Sequence, residues 1–265
     1  MAKWSRSGSS KRPSQKRARE QAPNRPLITT VIFDLDDTLY DCLGQRVRAA
    51  HIHAAKAMAA AGVPSSPEDI FEFRMRAFEE DPQLTYINGQ ICEHFGVPED
   101  DREKLVRASR HAFFTFPVDK LELFPGSLDV LRGLQRRGVR SFVVSFGDLE
   151  TQRAKVAALG LDREASIEHI FFADPGHLVT KEGIFRSILR NVEADPQRVL
   201  VVGDRSASEI KAGKVLGMHT VRLRGGEFAR LKPQGSEEQA EFEISKIDAV
   251  LKLPFRFGRK SSLSS

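Results

Sequence analysis

Long apolar runs are absent from this 265-residue sequence. No stretch approaches the roughly 18 consecutive apolar residues that a membrane-spanning helix requires, so we expect no membrane segment. The first residues also lack the apolar core of a secretory signal, which predicts a protein that is not exported. The only cysteines are Cys42 and Cys92, and they match no disulfide framework or zinc-binding spacing. We therefore expect a cytoplasmic protein with free thiols.

Negative charge is scarce at the N-terminal end of the chain. The whole chain carries a formal net charge of +5, of which residues 1–27 contribute +7, so that residues 28–265 carry −2. Because this first segment is also rich in Ser and Pro and poor in apolar residues, we predict a disordered basic tail. It could contact nucleic acid, direct the protein to the nucleus or an organelle, or remain a solvated extension. Residues 254–265 are predicted to form a flexible C-terminal tail.

Short apolar segments alternate with amphipathic segments along most of the chain. The predicted strands are Leu27–Phe33, Val139–Ser145, Ile170–Ala173, Arg198–Gly203, Thr220–Leu223 and Phe242–Ile244. The predicted helices among them are Ser127–Arg137, Leu149–Leu159, Glu182–Asn191 and Ser206–Leu216. This alternation predicts an α/β fold with a Rossmann-like, doubly wound parallel sheet built from residues 28–42 and 118–253.

Residues 43–117 break this alternation, because their apolar residues recur at helical spacing and no strand is evident. The predicted helices here are Arg46–Ala61, Pro67–Glu80 and Asp101–Phe114. We therefore predict an inserted α-helical cap over the sheet. The first cap helix carries polar residues that could contact an anionic substrate or form a solvated face: Arg46, Arg48, His51 and His53.

Three carboxylates directly follow the first strand: Asp34, Asp36 and Asp37. Ligands of parallel α/β sheets bind beyond the carboxyl ends of the strands, so reactive groups are expected here. Carboxylates crowded at one strand end repel each other unless a cation or a proton intervenes. Mg²⁺ prefers oxygen ligands and often accompanies phosphates. The alternative is an acidic loop that caps a helix or faces water.

Polar residues also follow the later strands. Ser145 ends the second strand and could donate a hydrogen bond to a phosphate oxygen, and Lys181 begins a helical segment where its charge could neutralise a phosphate. Asp204 follows the fourth strand as a candidate metal ligand, with Glu209 about one helical turn further on. Each has an ordinary structural explanation, such as a polar strand end, a surface lysine or a helix N-cap. Their occurrence in order at successive strand ends favours one catalytic site.

These residues together resemble the motifs of the haloacid dehalogenase-like (HAD) superfamily, subfamily I with a helical C1 cap. The four motifs are matched by Asp34-Leu35-Asp36-Asp37-Thr38, Ser145, Lys181, and Gly203-Asp204 with Glu209. The cap lies between the first and second motifs, and the resemblance covers about residues 28–253. Two motifs depart from the common pattern, since Lys181-Glu182 replaces Lys-Pro and Ser145-Phe146-Gly147 replaces Ser/Thr-Asn-Gly.

The resemblance implies a Mg²⁺-dependent phosphatase that hydrolyses a small phosphomonoester, such as a sugar phosphate, a nucleoside monophosphate or phosphoglycolate. It implies that Asp34 forms an aspartyl-phosphate and that Asp36 serves as general acid and base. The metal would be bound by Asp34, the Asp36 carbonyl and Asp204. Glu209 would orient a metal-bound water or pair with Lys181.

Two further roles and the rival activities follow from the same resemblance. Ser145 and Lys181 would stabilise the charge of the phosphate as catalytic residues. Asp36 argues against dehalogenation, because haloacid dehalogenases lack a carboxylate two residues after the nucleophile. A phosphotransferase or phosphomutase of the same family stays open. So does a non-catalytic HAD-like protein that binds a partner through its basic tail, although the complete catalytic set disfavours it.

Overall fold

A computed structural model describes residues 25–81, 84–174 and 179–259. The described strands are β1 (Leu27–Ile28), β2 (Thr30–Phe33), β3 (Arg140–Phe146), β4 (His169–Ala173), β5 (Val199–Gly203), β6 (His219–Leu223), β7 (Phe242–Ile244) and β8 (Arg256–Phe257). In this part of the chain, six strands form one sheet in the order β4-β3-β2-β5-β6-β7, with every neighbouring pair parallel. β2 and β5 at its centre are buried along their whole length.

Helices α5 (Ser127–Arg136), α6 (Leu149–Ala158), α7 (Lys181–Asn191) and α8 (Lys211–Val215) connect the strands and cover the sheet. Successive side chains of a strand point to opposite faces, so Val31 and Phe33 belong to one apolar cluster and Ile32 to another. A sheet with apolar clusters on both faces needs the near-continuous apolar strands seen in the sequence. The predicted α/β parallel-sheet fold is confirmed.

The segment between β2 and β3 contains helices α1 (Arg48–Ala61), α2 (Pro67–Glu80), α3 (Ile87–His94) and α4 (Glu99–Phe114). A π-helical turn, Leu43–Val47, precedes α1. Ser66 caps α2 by accepting a hydrogen bond from the Asp69 N–H, and Pro67 occupies the first helical position, where its missing N–H costs nothing. The four helices enclose an apolar core of their own, which includes Met58, Ile70, Ile91 and Leu105.

The two ends of the described chain pair with each other, which corrects two predictions. The single predicted strand Leu27–Phe33 is divided at Thr29, and its first part, β1, pairs in parallel with β8. Residues from 254 onward were predicted to form a flexible tail, but Phe255 is 7% exposed and packs in the main core. This pairing was missed because a two-residue strand carries no periodicity. The predicted basic tail, apart from residues 25–27, and residues 260–265 lie outside the described residues.

Two details of the described helices bear on the site. The predicted helix Ser206–Leu216 is a π-helical turn, Ser206–Ile210, followed by the short helix α8. Helix α7 begins at Lys181, one residue before its predicted start, because the Thr180 side chain accepts a hydrogen bond from the Gly183 N–H. No helix within the described ranges is long and apolar enough to cross a membrane.

Candidate active site

The carboxyl ends of β2 and β5 bring the predicted charged residues together. Asp34 follows β2, and its N–H donates a hydrogen bond of 2.9 Å to the Val202 carbonyl of β5. Lys181 contacts an Asp34 carboxylate oxygen and donates a hydrogen bond of 2.8 Å to Glu209 Oε2. Carboxylate oxygens of Asp34, Asp204 and Glu209 all lie within 4.8 Å of one another. Residues far apart in sequence therefore form one buried charged cluster.

Local structure fixes the position of two members of this cluster. Lys181 stands in the first turn of α7, so the Thr180 cap that starts the helix also determines where the ammonium group points. Glu209 lies in the π-helical turn after β5, and its Oε1 accepts a hydrogen bond of 2.6 Å from the Arg205 N–H. Gly203 is needed beside it, because a Cβ at this position would lie 2.1 Å from Glu209 Cγ.

Fully ionised, the three carboxylates of the cluster carry two more negative charges than the single ammonium group of Lys181 can balance. Burial raises the pKa of Asp34 to about 7 against the opposing charge of Lys181. Burial, with Glu209 and Asp34 nearby, raises the pKa of Asp204 well above its ordinary value. Lys181 outweighs burial at Glu209 and keeps the pKa of that carboxyl below its ordinary value. Without a further cation, Asp34 and Asp204 therefore bind protons more readily than exposed aspartates do.

A divalent cation fits this donor set. Asp34, Asp204 and Glu209 are all buried and offer hard oxygen ligands, which Mg²⁺ prefers. Three carboxylates with one lysine have a net charge of −2 when they are fully ionised, and a divalent ion neutralises it. The side chain of Asp36, another predicted metal residue, does not belong to this cluster. Its predicted metal contact was through the backbone carbonyl, and that contact stays a prediction.

The Asp36 side chain is held by three neighbouring side chains instead. Lys155 donates to both Asp36 oxygens at 2.8 and 3.0 Å, Gln152 donates at 2.8 Å, and the Tyr40 hydroxyl donates at 2.7 Å. Burial alone would raise the pKa of Asp36, but the charge of Lys155 and the three hydrogen-bond donors together lower it. The carboxyl group is therefore held in its ionised form.

These three partners of Asp36 were missed by the sequence analysis. Gln152 and Lys155 lie on α6 and are 2% and 5% exposed, next to the buried Val156. A lysine at helical spacing among buried positions was the available signal, since a buried ammonium group needs a partner. Tyr40 is fully buried four residues after Asp36, in a segment with no regular periodicity. Its partner could not be inferred from spacing.

Ser145 is not brought to the cavity as the other predicted residues are. It is 1% exposed at the end of β3, and its hydroxyl has no hydrogen-bond partner among the described residues. The residues that line the catalytic cavity include the adjacent Phe146 and Gly147 but not Ser145. Gly147 has a φ of 148°, a backbone conformation that a side chain disfavours, so the loop after β3 depends on this glycine. The predicted contact of Ser145 with phosphate stays a prediction.

Asp37, for which the sequence suggested no separate role, connects three segments. One of its oxygens accepts a hydrogen bond of 3.0 Å from the Leu43 N–H at the start of the cap, and the other accepts one of 3.2 Å from the Glu227 N–H. Its φ of 54° is left-handed, a conformation that aspartate tolerates better than most residues. Asp37 therefore ties the catalytic loop to the cap and to the loop around Glu227.

The candidate catalytic cavity has a volume of about 240 Å³ and lies between the sheet and the cap. Asp34, Asp36, Lys181, Asp204 and Glu209 line it from the core side. The polar residues of the first cap helix divide into two groups: Arg46 and His51 are buried, whereas Arg48 and His53 are exposed. Arg46 lines the cavity together with Phe113 and Phe114 of α4.

A parallel sheet with carboxylates and a lysine at its strand ends, under a helical cap, is the arrangement of an α/β-fold enzyme with a candidate site centred on an aspartate. The family model of the haloacid dehalogenase-like hydrolases matches residues 28–217. The chain belongs to this family and is an enzyme of the hydrolase class, as its motifs predict.

Known relatives cover nearly the whole described part of the chain. A glyceraldehyde 3-phosphate phosphatase from Methanopyrus kandleri is 26% identical over 232 residues, which is 85% of this chain and 96% of the relative. A ribulose-1,5-bisphosphate 5-phosphatase from Halopiger xanaduensis is 22% identical, covering 86% and 99%. A crystal structure described as a predicted phosphoglycolate phosphatase from Haemophilus somnus superposes with a TM-score of 0.60 at 17% identity, covering 85% and 97%. This structural similarity supports the assignment of the fold.

Proposed function

We propose that the chain is a Mg²⁺-dependent phosphatase that hydrolyses a small sugar phosphate or a related phosphomonoester. The observation that carries the proposal is the pair formed by Asp34 and Lys181 at the centre of the carboxylate cluster, with Asp36 two residues further on. The names of the two relatives above, which are phosphatases of phosphorylated sugars, support the substrate class.

Asp34 is the nucleophile in this proposal. An Asp34 carboxylate oxygen attacks phosphorus, the bond from phosphorus to the leaving oxygen breaks, and an aspartyl-phosphate forms. Lys181 contacts the Asp34 carboxylate, so it favours the ionised form that attacks and offsets the charge of the incoming phosphate. A water molecule then breaks the bond between phosphorus and the Asp34 oxygen, which releases inorganic phosphate and restores the carboxylate.

Asp36 moves the proton in both half-reactions. It gives a proton to the leaving alkoxide in the first half and takes one from the attacking water in the second half. The lowered pKa of Asp36, which Lys155 causes against burial, favours the base form needed for the water. The acid form needed first is scarce at neutral pH, so we expect protonation of the leaving group to limit turnover of alkyl phosphates.

Asp34 and Asp204 would hold Mg²⁺, with Glu209 beside them in the same cluster. The bound ion would offset the negative charge on the phosphoryl oxygens as they approach the carboxylates. Lys181 would remain between Asp34 and Glu209 and keep both ionised. The partner of the enzyme is thus a small phosphorylated metabolite.

The test is hydrolysis of p-nitrophenyl phosphate and of a phosphomonoester panel, with Mg²⁺ and with a chelator. Wild type is compared with Asp34→Asn, and Asp162→Asn, an exposed site, is the matched control. We expect Asp34→Asn to lose turnover by about 10³-fold or more and the control to keep it. Equal activity of Asp34→Asn and wild type, or no activity of wild type on any ester, would refute the proposal.

A second comparison isolates the role of Asp36. Asp36→Asn should lose more activity with an alkyl phosphate than with p-nitrophenyl phosphate, because the nitrophenolate leaves without a proton. Equal losses on both substrates would assign Asp36 to the water step alone. Transfer of the phosphoryl group to an added alcohol or sugar, instead of release as inorganic phosphate, would favour the phosphotransferase alternative.

A further inference from the structure

A second cavity lies inside the cap, next to the catalytic one. Its volume is about 570 Å³, and its walls come from α1, α2, α4 and residues 84–89. Val47, Phe113, Phe114 and Glu227 line both cavities, so they form the boundary between them. A substrate held by the catalytic cluster therefore has this second space on its cap side.

Arg74 lines this second cavity from α2 and is 2% exposed. One of its terminal nitrogens donates to Asn88 Oδ1 at 2.7 Å and to Ser109 Oγ at 3.0 Å. Its Nε atom is buried without a hydrogen-bond partner, and among the described residues no carboxylate forms an ion pair with it. Burial lowers the pKa of Arg74 to about 10, so the group remains charged at neutral pH. Buried arginines are usually paired with an anion.

Of the two polar neighbours of this region, Arg46 adds positive charge and His51 does not. Arg46 is 2% exposed and donates to backbone carbonyls, of which the Phe113 oxygen is nearest at 3.2 Å. The ring of Phe113 lies 5.5 Å from the Arg46 guanidinium and 4.8 Å from the His51 ring. Burial and the charges of Arg74 and Arg46 lower the pKa of His51 to about 3, which leaves that ring neutral. Within the described part of the chain, the buried Nδ1 atom of His51 has no hydrogen-bond partner.

A purely structural role explains only part of this arrangement. Arg74 connects α2 to Asn88 of α3 and Ser109 of α4, and a neutral donor such as glutamine would serve that purpose. The structural role does not explain why the guanidinium of Arg74 keeps its full positive charge beside a cavity. Nor does it explain why the Nε atom of Arg74 has no hydrogen-bond partner among the described residues. Glu227, a carboxylate at the boundary, does not offset the effect of burial on Arg74, whose lowered pKa has burial as its cause. Burial also raises the pKa of Glu227 to about 7, so this carboxyl group is itself only partly ionised at neutral pH.

We propose that the cap cavity receives a second anionic group of the substrate, a carboxylate or a phosphate, and that Arg74 binds it. The inference rests on the proposed function, since the group belongs to the same phosphomonoester whose phosphate reaches Asp34. A guanidinium recognises carboxylate and phosphate through the same pair of parallel hydrogen bonds, so both groups fit the site. The preferred substrate is then a bisphosphate or a phosphorylated acid.

A matched pair of substrates tests this directly. Glyceraldehyde 3-phosphate and 3-phosphoglycerate have the same three-carbon chain and differ in an aldehyde or a carboxylate, and ribulose 1,5-bisphosphate supplies the phosphate arm. We expect wild type to prefer at least one of the two substrates with a second anionic group over glyceraldehyde 3-phosphate by about tenfold or more in kcat/KM. Arg74→Met should lower that preference by about 10- to 100-fold, and Arg74→Lys should restore part of it.

Arg76→Met is the matched control, because Arg76 lies on the same helix and is exposed. This variant should keep the wild-type preference, which excludes a general effect of cap charge. Arg74→Met could also loosen the cap, and that would lower kcat/KM for all substrates by a similar factor. An equal loss on all three substrates, or a wild type without preference for either substrate that has a second anionic group, would overturn the inference.

Binding separates failure of this inference from failure of the proposed function. Calorimetry on the Asp34→Asn background measures the Kd of 3-phosphoglycerate, ribulose 1,5-bisphosphate and glyceraldehyde 3-phosphate without turnover, with and without Arg74→Met. Selective, Arg74-dependent binding in a protein that hydrolyses no ester would refute the phosphatase assignment and keep the anion site. Hydrolysis without Arg74-dependent binding would refute the anion site alone.

Discussion

Replacing Lys155 by methionine should destabilise the protein through Asp36. The Lys155 Nζ atom lies 2.8 Å from Asp36 Oδ2, and the two side chains are 6% and 28% exposed. Breaking a buried pair by removing one partner costs about 3–5 kcal/mol. Asp36 keeps its hydrogen bonds from Gln152 and Tyr40 and some contact with solvent, so we expect a smaller loss, about 2–3 kcal/mol.

The direction in which the pKa of Asp36 is shifted decides the pH at which stability should be measured. The pKa of Asp36 in the folded protein is below its ordinary value of 3.8, because the effect of burial is exceeded by the charge of Lys155 together with the hydrogen bonds from Gln152, Lys155 and Tyr40. The stabilisation by this pair is therefore fully present above about pH 4 and is lost as the pH falls through the folded pKa. The decrease in the free energy of unfolding caused by Lys155→Met should reach its full value at pH 7 and should become smaller in acid.

Chemical denaturation at pH 7 measures the effect, and a melting temperature lowered by roughly 4–12 °C should accompany it. Lys252→Met, which breaks an exposed ion pair with Asp248, is the matched control and should leave stability unchanged. In the Asp36→Asn background, Lys155→Met should cost little, because the charge that it compensates is gone. The reasoning is refuted if both backgrounds lose the same stability, or if the single variant is as stable as wild type.

Three further effects should be measurable. Because burial raises the pKa of Asp34 to about 7 and that of Asp204 well above normal, Mg²⁺ binding at pH 7 should release about one proton and strengthen with pH, as shown by calorimetry in buffers of different ionisation enthalpy. Phe255→Ala should destabilise by about 3 kcal/mol in denaturation, because Phe255 is buried in the core. Asp37→Ala should lower stability by about 1–3 kcal/mol, because two backbone N–H groups lose their acceptor.

Each of these has its own control. A binding enthalpy that is the same in all buffers would mean that no proton is released and that both carboxyls are already ionised without metal. Arg256→Ala changes an exposed neighbour of Phe255 and should leave stability unchanged. If both variants lose the same stability, the burial of Phe255 is not the cause, and the prediction of a flexible tail would be favoured. Asp37→Asn keeps both an acceptor oxygen and tolerance of the left-handed conformation, so a loss equal to that of Asp37→Ala would contradict the hydrogen-bond explanation.

Most of the fold was predictable because parallel strands between two helical layers are apolar throughout. Thr30–Phe33 and Val199–Gly203 are buried on both faces, and this leaves a continuous apolar run in the sequence. β1 and β8 were not predictable, since each has two residues and their partners are at opposite ends of the chain. The π-helical turn after β5 has the same composition as the α-helix that was predicted there.

The sequence by itself determined the reactive groups at the strand ends. Asp34 and Asp204 follow apolar strands, and Lys181 starts a capped helix, so local patterns were enough to assign them to one edge of the sheet. What each group can do was decided by the tertiary structure, because a pKa depends on neighbours that are distant in the chain. Lys155 lies 119 residues after Asp36 and keeps it ionised, and Arg74 is left without an anion only once the cap folds around it. Neither the contact between Lys155 and Asp36 nor the environment of Arg74 could be inferred from the spacing of residues along the chain.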